Sequence, residues 1–164
     1  MNAGTESSPP QHPILPLVVF ALDGQRYALP VPATERVLPM AAVSVLPKAP
    51  AVALGVINLH GQILPVLDIR RRFQLPAYDY GPTAHLLVAR TARRTVAFPV
   101  DEVLGVREVP TGAVASPEAV LPGIGHVAGI VSLTDGVLFI QDLDAFLSLD
   151  EERVLTEALE EIQR

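Results

Sequence analysis

The residues able to do chemistry are few and scattered. The chain has four histidines, His12, His60, His85 and His126, and no cysteine in 164 residues. No two histidines stand four apart and no H-E-x-x-H occurs, so no metal clip is spelled out. Without cysteine, disulfides, thiolate metal sites, iron–sulfur clusters and cysteine nucleophiles are excluded. The nucleophile elbow G-x-S-x-G and the phosphate loop G-x-x-x-x-G-K-[ST] are both missing. Gly123-Ile124-Gly125 is followed by its next glycine only at Gly129, the wrong spacing for a dinucleotide turn. The nearest approach to a carboxylate pair is Asp142 with Asp144, and Asp142 has a structural task as a helix cap. Two basic clusters remain, Arg70-Arg71-Arg72 and Arg90 with Arg93 and Arg94. Aromatics make up only 5% and the net charge is −6, a poor basis for stacking on and binding nucleic acid. The arginines read better as groups covering a barrel end or joining a protein interface. No catalytic residue, cofactor or metal is expected, and a protein-interaction module leads by elimination.

The elements that must carry these residues are short strands. Leu17 to Leu22 is rich in β-formers, Asp23-Gly24 is a hairpin-turn signal, and Arg26 to Val31 returns. Pro30 is expected at a strand end or at a sheet edge. A second hairpin runs Gly55 to Leu59, turns at His60-Gly61, and returns over Gln62 to Leu67. Asp68 then caps a short helical segment whose Ile69 and Phe73 share a face. In the second half, strands are expected at His85–Arg90, Arg94–Val100, Gly129–Leu133 and Val137–Ile140. Asp142 opens a further short segment.

This order repeats. Tyr27-Ala28-Leu29-Pro30-Val31 matches Val96-Ala97-Phe98-Pro99-Val100 at an offset of 69. Gly55 and Leu59 match Gly129 and Leu133 at an offset of 74, and Asp68 matches Asp142 at that same offset. Two copies of one small β-unit follow, each too small for a large core of its own. The expected fold is mainly β: two small antiparallel, SH3-like β-barrel subdomains packed around a shared core, with short helices and a C-terminal helix. The expected boundaries are a disordered leader over 1–15, barrels over roughly 16–82 and 83–149, and an acidic helix over 150–164. Pro65 has no counterpart in the second copy and is expected to mark a strand edge particular to the first.

Composition agrees. Sixteen prolines are about twice the usual share of roughly 5%; they disfavour long helices and suit short strands with many corners. Apolar residues make up 49%, which argues against disorder. The polar, proline-rich MNAGTESSPPQHP does not read as a signal peptide. The longest apolar run, Ile14–Leu22, is far short of the ~20 residues needed to span a membrane, and a cytoplasmic location is expected. From Asp150 onward six acids and two arginines leave a net −4, so the rest of the chain carries only −2. Val154, Leu155, Ala158, Leu159 and Ile162 put an apolar stripe on this tail helix. The stripe is suited to packing on the body; a partner-binding helix is the other reading.

The run Leu54-Gly55-Val56-Ile57-Asn58-Leu59-His60-Gly61-Gln62-Ile63-Leu64-Pro65-Val66-Leu67-Asp68-Ile69-Arg70 resembles the signature of the CheW-like domains of bacterial chemotaxis. Phe20 to Val31, Val100 to Val106 and Leu121-Pro122 are similar to further blocks of that family, so the resemblance covers about Leu17 to Leu149. It implies a non-catalytic adaptor between chemoreceptors and a CheA-type histidine kinase. The regulatory domain of that kinase would pair barrel to barrel with the adaptor. The receptor's cytoplasmic hairpin tip would lie in a groove between subdomains, with no nucleic acid and no direct membrane insertion. The implied partner-binding residues are Glu35, Arg36, Asn58, His60 and Gly61. The family's turn usually reads Asn-Leu-Arg-Gly; here His60 replaces the arginine, exchanging a permanent bidentate cation for an imidazole. An acidic counterpart to that position is expected near Glu35. His60 then marks either altered partner specificity, as in a scaffold for pilus motility or second-messenger control, or a residue the turn simply tolerates.

Overall fold

A computed structural model describes residues 13–76, 80–117 and 126–163. The leader over 1–12, Leu121-Pro122 and Gly123-Ile124-Gly125 lie outside the described residues.

Eleven strands form two sheets among the described residues. The first sheet contains β1 (Ile14–Leu22), β2 (Gln25–Pro30), β8 (Glu102–Pro110), β9 (Val114–Ala115), β10 (Val127–Leu133) and β11 (Gly136–Gln141), in the order β8-β1-β2-β11-β10-β9. The second contains β3 (Thr34–Pro39), β4 (Ala53–Leu59), β5 (Gln62–Leu67), β6 (His85–Arg90) and β7 (Thr95–Val100), in the order β3-β6-β7-β5-β4. Among the described residues two α-helices accompany the sheets: α1 (Ile69–Arg72) and α2 (Leu149–Ile162).

The sheet orders are the same list under exchange of repeat copies. β8-β1-β2-β11-β10 in the first corresponds to β3-β6-β7-β5-β4 in the second. Each sheet therefore takes a hairpin from the other copy: β1–β2 joins β10–β11, and β6–β7 joins β4–β5. The halves 16–82 and 83–149 are thus not the spatial units; the two barrels cross over between them. The crossing point in each sheet is a parallel pair, β2 with β11 and β5 with β7, so the sheets are not wholly antiparallel.

Each sheet closes because the chain runs from one edge strand to pair with the other edge. β8 leads through a 3₁₀ turn, Thr111–Ala113, into β9, which pairs with β10. After β3, Ser44 bridges to Val56 of β4, with Ser44 N–H donating to Val56 O at 2.9 Å and Val56 N–H donating to Ser44 O at 2.8 Å. The repeated glycines make both closures possible. A Cβ on Gly55 would sit 2.1 Å from Ser44 O, and one on Gly129 would sit 2.4 Å from Val114 Cγ1.

Alternation sorts the side chains into three layers. Val18, Phe20 and Leu22 of β1, Tyr27 and Leu29 of β2, Leu87 and Ala89 of β6, and Val96, Phe98 and Val100 of β7 meet in one core between the sheets. Leu17, Val19 and Ala28 instead face the interior of the first barrel with Val131, Leu138 and Ile140. Leu86, Val88 and Ala97 face that of the second with Ile57, Leu64 and Val66. These hairpin strands are buried on both faces, which is why they read as unbroken apolar runs. The aromatic rings gather in the shared core: Phe20 lies 5.6 Å from Phe98 and 5.9 Å from Tyr27, and Tyr27 lies 4.8 Å from Phe73.

Several expectations are corrected. β1 begins at Ile14, inside the span expected as leader. β2 ends at Pro30, and Val31 opens a 3₁₀ turn instead of ending the strand. β2 lies inside its sheet, so Pro30 marks an end and not an edge. Pro65 does not mark an edge either, since β5 lies between β7 and β4. With no N–H to give, it is accommodated where pairing to β7 shrinks to Val66↔Ala97, whereas β11 and β2 pair at three positions. β3, β8 and β9 were not expected as strands; β3 and β8 are largely exposed and carry little apolar alternation.

Candidate functional site

The expected partner-binding residues fall in two places. Asn58, His60 and Gly61 lie together at the β4–β5 hairpin. Leu59 pairs with Gln62, leaving His60-Gly61 as a two-residue turn with φ of 51° and 89°. Two positive φ values define the type I′ turn that matches strand twist. Asn58 Oδ1 accepts from Gly61 N–H at 2.8 Å, so the asparagine fixes the turn and is not free to reach a partner with that oxygen. The His60 side chain is exposed at the tip.

Glu35 and Arg36 lie on β3, at the opposite edge of the same sheet from β4. The ladder with β6 slips between Thr34 and Arg36, which makes Glu35 the extra residue of a bulge. It is exposed and accepts from Thr95 Oγ1 at 3.2 Å. Arg36 is exposed opposite Val88. Among the described residues no hydrogen bond or ion pair joins Glu35 or Arg36 to the His60 turn. The fold thus places Glu35 and Arg36 on one edge strand and the His60 turn beyond the other, all of them exposed positions on one barrel.

Asp68 and Asp142 do the same work in the two copies. Asp68 Oδ1 accepts from Arg71 N–H at 3.3 Å to cap α1, and Asp142 Oδ1 accepts from Ala145 N–H at 3.3 Å to cap a 3₁₀ turn, Leu143–Ala145. Asp144 accepts from Ala92 N–H at 2.6 Å. The two carboxylates are thus committed to backbone donors. Among the described residues no group of three or more metal-ligating side chains converges.

The first arginine cluster divides by position. Arg71 is exposed. Arg72 pairs with Glu151 of α2 at 2.6 Å. Arg70 is 2% exposed. Its Nη2 donates to Asp101 Oδ1 and Oδ2 at 2.9 and 2.8 Å, its Nε to the Tyr80 hydroxyl at 3.0 Å, and its Nη1 approaches Asp23 at 3.5 Å. Asp101 also accepts from Asp23 N–H at 2.8 Å. Burial alone would lower the Arg70 pKa; the hydrogen bonds and charges of Asp101 and Tyr80 outweigh it and raise it. Burial pushes the Tyr80 phenol up to about 12, against the lowering effect of Arg70. This network links α1, the β1–β2 turn and the β7–β8 junction. The sequence carried no signal for it, because the partners stand 10, 31 and 47 residues from Arg70.

Comparison with known proteins agrees with this architecture. Residues 16–151 match the model of the CheW-like domain. The chain is 29% identical over 133 residues to the chemotaxis protein CheW of Bacillus subtilis (strain 168), covering 80% of this chain and 85% of that protein. It is 25% identical over 139 residues to a probable chemotaxis protein CheW of Rhizobium etli, covering 82% and 88%. The crystal structure of the scaffolding protein TtCheW from Thermoanaerobacter tengcongensis superposes with a TM-score of 0.76 at 23% identity, over 84% of this chain and 94% of that one, a likeness of fold. Since the family match runs from within β1 to the first turn of α2 and takes in both crossed sheets, this chain belongs to the CheW-like domain family.

Proposed function

We propose that this chain is a non-catalytic adaptor that couples chemoreceptors to a CheA-type histidine kinase in bacterial chemotaxis. It works in the cytoplasm and is recruited to membrane receptor arrays by its partners. The observation that carries this reading is the family match over residues 16–151, which embraces the whole two-barrel body. The named chemotaxis relatives support it. The side-chain chemistry supports it too. Asp68, Asp142 and Asp144 are committed to backbone donors and Arg70 to Asp101.

In this reading Glu35, Arg36, Asn58, His60 and Gly61 belong to the surface that faces the partners, and the kinase regulatory domain pairs with a barrel edge. The edge strand β8 offers such a surface: Leu104 and Val106 are 46% and 67% exposed. A pull-down from native lysate tests the proposal. Co-purification of a CheA-type kinase and a receptor supports it, and recovery of neither overturns it.

A second reading rests on His60. The exposed turn presents an imidazole where the family usually has arginine, which favours a scaffold of a non-flagellar pathway with altered partner specificity. The identity of the co-purifying receptor separates the two.

A further inference from the structure

A cleft of about 370 Å³ opens between α2 and the second sheet, lined by Arg90 at the end of β6, Arg93 and Arg94 from the turn after it, Gln62 from β5, Glu160 from α2 and Gln163 just past its end. Arg94 is spent: it pairs with Glu152 at 2.8 Å and donates to Thr156 Oγ1. Arg90 and Arg93 are exposed, and among the described residues no carboxylate forms an ion pair with either, Glu160 included. In a chain of net charge −6 this is a local reversal of sign.

The turn that carries these cations is pinned. Thr91 N–H donates to Arg94 O at 2.8 Å, and the Thr91 hydroxyl accepts from Arg93 N–H and Arg94 N–H at 3.2 and 3.1 Å. Ala92 N–H donates to Asp144 at 2.6 Å. A rigid backbone lowers the entropy lost when its guanidinium groups close on a ligand. Two unpaired guanidiniums match an anion of charge near −2 with several acceptor oxygens. That describes a phosphate monoester better than a single carboxylate.

We propose that this cleft binds a small molecule bearing a phosphate monoester, with Arg90 and Arg93 holding the phosphate and the Gln62 and Gln163 amides available to its remaining polar groups. The site adds a ligand input at the α2 face, beside the His60-Gly61 turn that Gln62 follows.

Titration calorimetry on the full chain tests it, with AMP and glucose 6-phosphate as probes and adenosine, glucose and citrate as controls. Saturable binding of either phosphate, weakened about tenfold or more in Arg90→Gln/Arg93→Gln and unchanged in Arg107→Gln, supports the site. AMP alone points to a nucleotide source, and both together to any phosphate monoester. Equal binding by the double variant overturns it, as does tighter binding of citrate than of both phosphates. No saturable binding in the millimolar range also overturns it, even if a phosphopeptide binds. Among the described residues neither side chain makes a hydrogen bond or ion pair within the protein, so an unchanged melting temperature confirms that the comparison is between folded proteins.

Discussion

At the scale of single residues, the buried charge of Arg70 is the most demanding group in the molecule. Its solvation is replaced by Asp101, Tyr80 and the more distant Asp23. Asp101→Ala leaves that guanidinium buried without its main counter-charge and should cost about 3 kcal/mol, read from urea unfolding. Arg70→Met should cost less, because Asp23 and Asp101 are 47% and 28% exposed and can regain water. The reverse order would show that Arg70 is not the group that needs the network. His126 gives a second residue-scale test. Its ring stands edge-on to Phe73 at 4.8 Å, and burial, with repulsion from Arg72, lowers its pKa. The unfolded chain therefore takes up the proton first, at about 6.5. Stability should decline as pH falls below that value, and His126→Asn should flatten this limb in unfolding midpoints measured across it. Of the expected site residues, His60 and Gly61 were legible as turn residues, whereas the Asn58 bond that fixes the turn was not. The Arg70 network was not, since nothing local in the chain announces a contact across 31 or 47 residues.

At the scale of elements, the repeated glycine and the terminal helix carry separate predictions. Gly55→Ala should destabilise more than Gly129→Ala. The first collides with a backbone oxygen at a φ of 153°, the second with a movable valine methyl. Equal losses in thermal melts would remove this account of barrel closure. The helix α2 starts at Leu149 behind a complete capping box. Ser148 Oγ accepts from Glu151 N–H at 3.1 Å, and Glu151 Oε1 accepts from Ser148 N–H at 2.9 Å. Burial would raise the Glu151 pKa, but the Ser148 backbone and Arg72 lower it on balance. Leu155, Ala158 and Leu159 enter the shared core, so the middle of the apolar stripe packs on the body, while Ile162 at its end stays 41% exposed. Ser148→Ala should cost about 1 kcal/mol. Leu155→Ala should cost about 3 kcal/mol. A Leu155→Ala protein with unchanged stability would show that α2 does not hold the core. The acidic outer face remains available to solvent or to a partner.

At the scale of the whole molecule, the crossing of the two repeats makes one cooperative body. Each sheet depends on a hairpin from the other copy, and both sheets share the core around Phe20 and Phe98. Neither repeat copy can close its barrel without strands from the other. A surface built on such a body is rigid, as an adaptor between larger partners needs. His60→Arg should then change affinity for a receptor hairpin or a kinase regulatory domain without altering the melting temperature, since the side chain lies at an exposed turn. Equal affinities by calorimetry would leave His60 as a residue the turn merely tolerates.

The sequence by itself determined the hairpins, the two Asp caps and the repeat, because turn chemistry and strand alternation act over a few residues. It also carried the family's signature block and the absence of thiol chemistry. Only the tertiary structure decided which hairpin joins which sheet. Pairing β2 with β11 and β5 with β7 joins segments far apart in the chain, and the apolar runs of these strands suit either sheet equally. It decided, too, that Pro65 stands inside a sheet, that Glu35 and His60 stand at opposite edges, and that one arginine of three is buried. Those outcomes depend on which groups meet across the core, and spacing along the chain does not encode them.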